Sequence, residues 1–417
     1  MKSYRLLVFF SYRTIFISFI LSIKKLVQEH SSITLKEREM SSIIQQVSDL
    51  AKMDLPAEEN HVLRGLPAPA YTSEEFFKEE QKRIFQSNWV LAGFVHELKE
   101  PGTAIPTEVG GQPILLLTDD KGEIGVFHNL CRHRGLILVT EKTKVEQSIT
   151  CPYHAWSYDT SGALESAPHF GGFRKQEVPG FKKCDFGLLP IRFAIWHDWV
   201  FVNIDGKAPE FNEYVATFEE ELKDFDFSTL EPIGRIDLGE VQANWKLLME
   251  NFIEPYHVPV VHDVTAAGQP LKDHYTITNG RLLGSAVDLE VPKQDSEVAD
   301  HLDMSARYLT LFPSFVLGIY LPDQAGVHIN MPVSAGVTHQ YRVLYSLDQR
   351  EYTEEEKKAL CDLWTDVHKE DHEIAVLLQK GRHSVAMNDG GLMSPHWEDS
   401  AQAFQRMVLE NMQKNTD

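Results

Sequence analysis

The chain has 417 residues, 43% of them hydrophobic and 24% charged, enough length for two domains and enough apolar material for a packed core. A formal net charge of −21 excludes the basic footprint that a nucleic-acid partner needs, and suits either a soluble surface or docking to a basic partner. Of the four cysteines, Cys184 and Cys361 lie far apart in sequence and read as free thiols of a reducing, cytoplasmic compartment rather than as a bridge.

Residues 1–27 carry five basic residues and no acid, and the apolar run from Leu6 to Ile23 is interrupted by Arg13. A membrane anchor wants a cleaner stretch of about 20 residues, and no small-residue cleavage site follows Ile23. Residues 1–55 are therefore set apart from the fold. They read as a start extended upstream of Met40 or Met53, or as a targeting or membrane-associated segment. Ser73 to Gln86 is predicted helical, with Ser73 as N-cap, acids in the first turn and Phe76, Phe77 and Ile84 on one face. Short strands are predicted at Trp89–Phe94, Gln112–Thr118 and Glu123–Leu130, punctuated by Gly110-Gly111 and Asp120-Lys121-Gly122.

Two loops then stand out: Cys131-Arg132-His133-Arg134-Gly135 and Cys151-Pro152-Tyr153-His154-Ala155-Trp156. Each offers one thiolate and one imidazole. Cys131 and Cys151 on one iron, with His133 and His154 on the other, make the ligand set of a Rieske [2Fe–2S] cluster, in which neutral imidazoles raise the potential. Gly135 suits a tight backbone and Trp156 can keep water off the cluster. Zinc is the competing reading of two Cys and two His, but Cys-x-His is not a usual zinc spacing. These loops resemble the cluster-binding half of Rieske non-haem iron oxygenases, the α subunits of ring-hydroxylating dioxygenases and their monooxygenase and demethylase relatives. The resemblance runs from about Ala68 to near the C-terminus.

Phe193–Ile204 reads as a further β pair, and the pattern changes at Asp205 to Pro209. The predicted division is thus an all-β cluster domain over 56–205 and an α+β domain over 206–417. Phe211 to Phe225 is predicted helical. Tyr275–Asn279, Leu282–Leu289, Tyr308–Phe312, Phe315–Tyr320, Gly326–Pro332 and Thr338–Ser346 read as an antiparallel sheet. Glu354 to Lys380 reads as a long helix opened by Thr353 and stopped by Gly381. The family resemblance implies a helix laid on a curved sheet around a catalytic iron.

In the segment Glu250-Asn251-Phe252-Ile253-Glu254-Pro255-Tyr256-His257-Val258-Pro259-Val260-Val261-His262, two His stand five apart, with Pro259 between them arguing against a continuous helix. Two imidazoles and a carboxylate form the facial triad of non-haem Fe(II) oxygenases. The resemblance points to Asp371 on the long helix as the third ligand, with Glu370 and Glu373 as alternatives. It also gives Glu254 the role of a bridge between His257 and His154 of a neighbouring subunit. That bridge implies a homotrimer or other cyclic homo-oligomer.

No Rossmann glycine fingerprint for flavin or NAD is present, and too few cysteines remain for a four-Cys ferredoxin cluster. Electrons are therefore expected from a separate NAD(P)H-dependent reductase, directly or through a ferredoxin, with O2 as co-substrate. Phe252, Tyr256, Phe315, Leu317, Ile319, Tyr320 and His328 are candidates for the substrate pocket. The Glu254 segment resembles oxygenases of quaternary ammonium compounds, for which aromatic cages are suited. Pro255 and Val258 stand where those relatives tend to have Cys. A cis-dihydroxylating aromatic dioxygenase and an electron-transfer protein without oxygenase chemistry are the alternative readings.

Overall fold

A computed structural model describes residues 43–49, 63–262, 269–292, 301–348 and 350–414. Most of the segment over 1–55 lies outside them. Its residues 43–49 form a helical turn that buries Ile44 and Val47 in the main core. Among the described residues no helix is long and apolar enough to cross a membrane.

The predicted helix, α1 (Glu74–Glu80), starts where expected. The Phe76 N–H donates to Ser73 Oγ at 3.2 Å, and Glu74 and Glu75 fill the first turn. It continues as a widened π-helical turn over Gln81–Gln86. The cluster half then consists of small antiparallel sheets. A four-stranded sheet runs in the order Ile124–His128, Gln112–Thr118, Thr103–Val109, Thr143–Lys144. A second joins Arg192–Trp196, Trp199–Asn203 and Val90–Phe94, and a third joins Ile149–Thr150, Ser157–Tyr158 and Leu164–Ser166.

The second half is built on one seven-stranded antiparallel sheet. Its spatial order is Glu231–Val241, Val337–Ser346, Gln324–Ser334, Phe315–Tyr320, Ala306–Leu311, Leu282–Val287, His274–Asn279. Helix α2 (Phe211–Glu221) precedes it and packs Tyr214, Val215 and Phe218 into an aromatic core shared with Trp199, Phe201 and Phe315. Helices α3 (Trp245–Ile253), α4 (Glu354–Arg382) and α5 (Asp399–Gln413) follow in the chain. Buried Trp245, Met249 and Ile253 of α3 meet Phe404 and Val408 of α5 in the main core. The all-β first half and the helix-on-sheet second half are the predicted fold class.

Several boundaries differ from the predicted ones. Helix α4 opens on a capping box, Thr353 with Glu356, but runs past Gly381 to Arg382. A helix tolerates a glycine near its end at a cost of about 1 kcal/mol. The strands Thr103–Val109 and Glu231–Val241 and the whole of α5 were not predicted. Glu231–Val241 carries one proline, two glycines and three acids on a sheet edge, so its residues show no clean apolar alternation.

Candidate active site

The two Cys/His loops have one backbone shape used twice. Cys131 N–H donates to the Leu136 carbonyl at 2.8 Å and Gly135 N–H to the Cys131 carbonyl at 2.8 Å. In the second loop Cys151 N–H donates to the Trp156 carbonyl at 2.8 Å and Ala155 N–H to the Cys151 carbonyl at 3.0 Å. The fifth residue is left-handed in both, with φ of +73° at Gly135 and +57° at Ala155. Sheet edges present the loops: the first follows Ile124–His128 and the second connects Ile149–Thr150 to Ser157–Tyr158.

This shape buries both cysteines and turns both histidines outward. Cys131 and Cys151 are 3% and 2% exposed, whereas His154 is exposed and its ring centroid lies 4.6 Å from that of His133. Burial raises the Cys151 thiol; the amides of Tyr153 and His154 pull it down and the adjoining Cys131 thiol raises it again. Metal binding is one way to stabilise such paired thiolates. Trp156 is stacked on His133 at 5.0 Å and 11° and is itself packed by Phe170, Phe181 and Phe186. The four donors thus fit a cluster held by buried sulfurs and reached through surface imidazoles.

The second constellation sits where α3 ends. Asn244 caps α3 by accepting from Lys246 N–H at 3.0 Å, and the helix stops at Ile253 because Glu254 is extended. His257 and His262 then flank a four-residue helix, Val258–Val261. Pro259 lies in its first turn, where the missing N–H costs nothing. Across from it, α4 supplies Asp371. One oxygen, Asp371 Oδ1, lies 3.2 Å from His262 Nε2 and 3.7 Å from His257 Nε2.

Carboxylates hold the far sides of both rings. Glu254 Oε1 engages His257 Nδ1 at 2.7 Å, and Glu370 Oε2 engages His262 Nδ1 at 2.8 Å. In the neutral form of each ring, which metal binding selects, Nδ1–H donates outward and the Nε2 lone pair faces inward. Burial pushes the Asp371 carboxyl up, but the hydrogen bond and charge of His262 and the charge of His257 bring it below its ordinary value. Burial lowers His262, and Asp371 with Glu370 outweighs it and raises the imidazole to about 9. Asp371 Oδ1 is buried and faces both Nε2 atoms, and one donor atom of each residue lies within 4.8 Å of the others. Two imidazole nitrogens and one carboxylate oxygen converging in this way suit a divalent cation with open coordination positions.

Above the constellation is a cavity of about 360 Å³. Phe252, Tyr320 and His328 line it as expected. The other pocket candidates are corrected. Tyr256 is 50% exposed outside it, and Phe315, Leu317 and Ile319 are buried in the aromatic core on the opposite sheet face. Alternation along Phe315–Tyr320 decides this, because Tyr320 and its two-residue neighbours face the other way. Sequence reasoning also missed Tyr308, Arg342, Trp364 and His368 in the lining. Trp364, Val367, His368 and Asp371 follow the i, i+3, i+4, i+7 rhythm of one helix face, which is the signal that was available.

Two family models match the chain. One describes the Rieske [2Fe–2S] domain and covers residues 88–181; the other describes the catalytic domain of the ring-hydroxylating α subunit and covers 221–414. The chain belongs to the Rieske oxygenase α-subunit family. As a member it is an O2-using oxidoreductase whose cofactors are a [2Fe–2S] cluster and a mononuclear iron, with electrons supplied by a separate reductase.

Among the relatives of this oxygenase, the chloroplastic choline monooxygenase of Spinacia oleracea is 27% identical over 350 residues, which are 82% of this chain and 76% of the relative. The glycine betaine monooxygenase oxygenase subunit of Pseudomonas aeruginosa is 32% identical over 193 residues, 46% of this chain and 43% of the relative. A solved quaternary ammonium Rieske monooxygenase, CntA, superposes with a TM-score of 0.74 at 23% identity, covering 87% of this chain and 98% of that one. It shares the fold.

Proposed function

We propose that this oxygenase holds its cluster on Cys131, His133, Cys151 and His154 and its catalytic iron on His257, His262 and Asp371, and that it oxidises an N-methylated quaternary ammonium substrate. The observation that carries the reading is the convergence of His257 Nε2, His262 Nε2 and the buried Asp371 Oδ1 beside the cavity. When bound, the iron and the cluster supply O2 activation and electrons. The chain's own residues do the rest. Glu254 and Glu370 fix the imidazole tautomers. Phe252, Tyr308 and Tyr320 form an aromatic wall, with ring centroids 5.9 and 5.6 Å apart in turn, that excludes water and faces the substrate. The substrate class follows from the relatives, which act on choline and glycine betaine by name.

In this reading Glu254 also reaches His154 of a neighbouring copy, and the assembly is a homotrimer or another closed ring. Exposure of His154 supports it. So does an apolar outer stripe on α4, where Leu363, Leu377 and Leu378 are 44%, 61% and 43% exposed. CntA is described as a case of carnitine oxidation and inter-subunit electron transfer. The electron donor is a separate NAD(P)H-dependent reductase or a ferredoxin, and the compartment is the cytoplasm.

The test is iron and sulfide analysis of protein purified without oxygen. About three irons and two sulfides per chain are expected. His257→Ala should remove about one iron, leave the sulfide and cluster spectrum in place, and abolish substrate-dependent O2 uptake. Unchanged iron content in that variant sinks the assignment.

A further inference from the structure

Phenol and indole rings lose electrons readily, and Tyr308, Tyr320 and Trp364 line the same cavity as His257, His262 and Asp371. The centroids of Tyr308 and Tyr320 lie 5.6 Å apart, and those of Tyr320 and Trp364 lie 4.5 Å apart. The partners of their polar atoms share one property: none takes up a proton. The Tyr308 hydroxyl donates to Gln269 Oε1 at 2.7 Å, and Trp364 Nε1–H donates to Gln324 Oε1 at 3.0 Å. The Tyr320 hydroxyl is hydrogen-bonded to the Arg342 guanidinium, which has donors only. Elsewhere in the fold carboxylates fill this place: Tyr71 donates to Glu250 at 2.7 Å, Tyr345 to Asp198 at 2.8 Å and Trp196 to Glu219 at 3.1 Å.

Arg342 adds a fixed charge to the same rings. It lies on the strand Val337–Ser346, is 1% exposed, and among the described residues no carboxylate pairs with it. Its Cζ is 3.9 Å from the Trp364 centroid and 5.4 Å from that of Tyr320. Gly326 lets it lie there, since a Cβ at that position would stand 2.3 Å from both Nε and Nη2. A guanidinium stays protonated in a protein. Its charge favours an electron-rich ring. Taking an electron from that ring leaves a second positive charge beside the first, and in a poorly screened interior this is strongly opposed. Tyrosine gives up an electron easily only when its proton can leave too, and neither cavity tyrosine has a base to receive it. An apolar side chain would fill the place of Arg342 without the cost of burying an unpaired charge.

We infer that Arg342, with the neutral acceptors Gln269 and Gln324, protects Tyr308, Tyr320 and Trp364 from oxidation by the oxygenase's own chemistry. This rests on the oxygenase reading of the cavity. The reaction prevented has the same balance as hydroxylation of a substrate: a ring C–H, O2, two electrons from the reductase and two protons give a ring C–OH and water.

The test has two parts, both on cluster- and iron-loaded protein and both read by peptide mass spectrometry as oxygen added to each ring. In the first, oxidised protein without O2 meets ruthenium(III) tris(bipyridine), generated by light with a cobalt(III) acceptor. Each hydroxyl added then takes its oxygen from water, passes two electrons to two ruthenium(III) and releases two protons. Arg342→Gln is expected to raise modification of Trp364 and Tyr320 about tenfold or more. Gln324→Glu should raise it at Trp364 alone, and Gln269→Glu at Tyr308 alone. Arg342→Lys, which keeps the charge, should restore most of the resistance, whereas a purely steric role would be lost in Lys and Gln alike. In the second part, dithionite-reduced protein is exposed to O2 without substrate, in repeated cycles with catalase present, and the same ranking is expected. The inference is overturned if the variants are modified no more than wild type in the first part, or if a variant that consumes O2 in the second keeps all three rings intact. Should the Arg342 variants fail to fold, the two Gln→Glu variants decide. Absence of O2 consumption in every protein would overturn the oxygenase reading, and the first part would still decide this one.

Discussion

Glu370 and Asp371 are adjacent on α4 and serve the two sides of one imidazole: Glu370 Oε2 is 2.8 Å from His262 Nδ1, and Asp371 Oδ1 is 3.2 Å from its Nε2. The pair clamps the ring, so His262 has its orientation and tautomer set by the same helix that offers the third metal ligand. Glu254 does the same for His257 from within its own segment.

Removing the outer half of the clamp should loosen the metal without removing a ligand. Glu370→Gln is expected to lower iron affinity by about 10- to 100-fold. Iron retained against a graded chelator measures this, with the cluster absorbance as internal control. Equal retention would show that Glu370 does not orient His262.

The cluster potential should respond to Tyr158. Its hydroxyl lies 3.4 Å from Cys131 Sγ and accepts the Arg132 N–H at 2.9 Å. A hydrogen bond to a ligand sulfur stabilises the reduced cluster. Tyr158→Phe is expected to lower the midpoint potential by about 40 mV, the equivalent of one hydrogen bond of about 1 kcal/mol for a one-electron couple. A potentiometric titration reads it, and an unmoved potential counts against the contact.

Stability depends on a fully buried ion pair below α3. Lys246 Nζ lies 2.5 Å from Glu80 Oε1, with both side chains at 0% exposure and the ammonium near the rings of Tyr71, Phe76 and Trp245. Glu80→Ala leaves that charge unpaired and is expected to cost about 3–5 kcal/mol. In the double variant Glu80→Leu with Lys246→Met most of the loss should be recovered. Urea midpoints of the three proteins decide the matter.

Acid should act through His368. Its pKa is about 3 in the folded protein because burial and Arg342 oppose protonation, whereas the unfolded chain protonates near 6.5. A depressed pKa leaves the folded state with fewer protons. The contribution to stability is therefore complete above about pH 6.5 and falls by about 1.4 kcal/mol per unit between there and pH 3. His368→Gln, which keeps an acceptor for Arg342, should flatten the stability–pH curve in that window by about one proton. Parallel curves for the two proteins would refute the assignment.

How much of this was legible beforehand depended on whether chemistry or geometry set the residue. The Cys/His loops were legible because a cluster dictates both ligand type and spacing. His257 and His262 were legible as a pair, and Asp371 only through resemblance, since a helix rich in acids does not reveal which one faces inward. Glu370 looked like an alternative ligand and turned out to orient one. Phe315, Leu317 and Ile319 were placed in the pocket because alternation identifies a face without saying which side it looks toward. Arg342 carried a signal of its own, a charge in the otherwise apolar run Tyr341-Arg342-Val343-Leu344-Tyr345, which went unread.

Helix α4 carries both Trp364, which stacks on the Arg342 guanidinium, and Asp371, and both line the cavity. Seven residues of unbroken helix separate them, about 10 Å along the axis. The span between these two lining residues is thereby written in helix register rather than in cavity volume. We expect a homologous series of ω-trimethylammonium carboxylates to show a single optimum of chain length in turnover, with shorter members falling short and longer ones forced to fold back. A flat series would mean that the cavity measures nothing. If the optimum exists, α4 is the ruler that sets it.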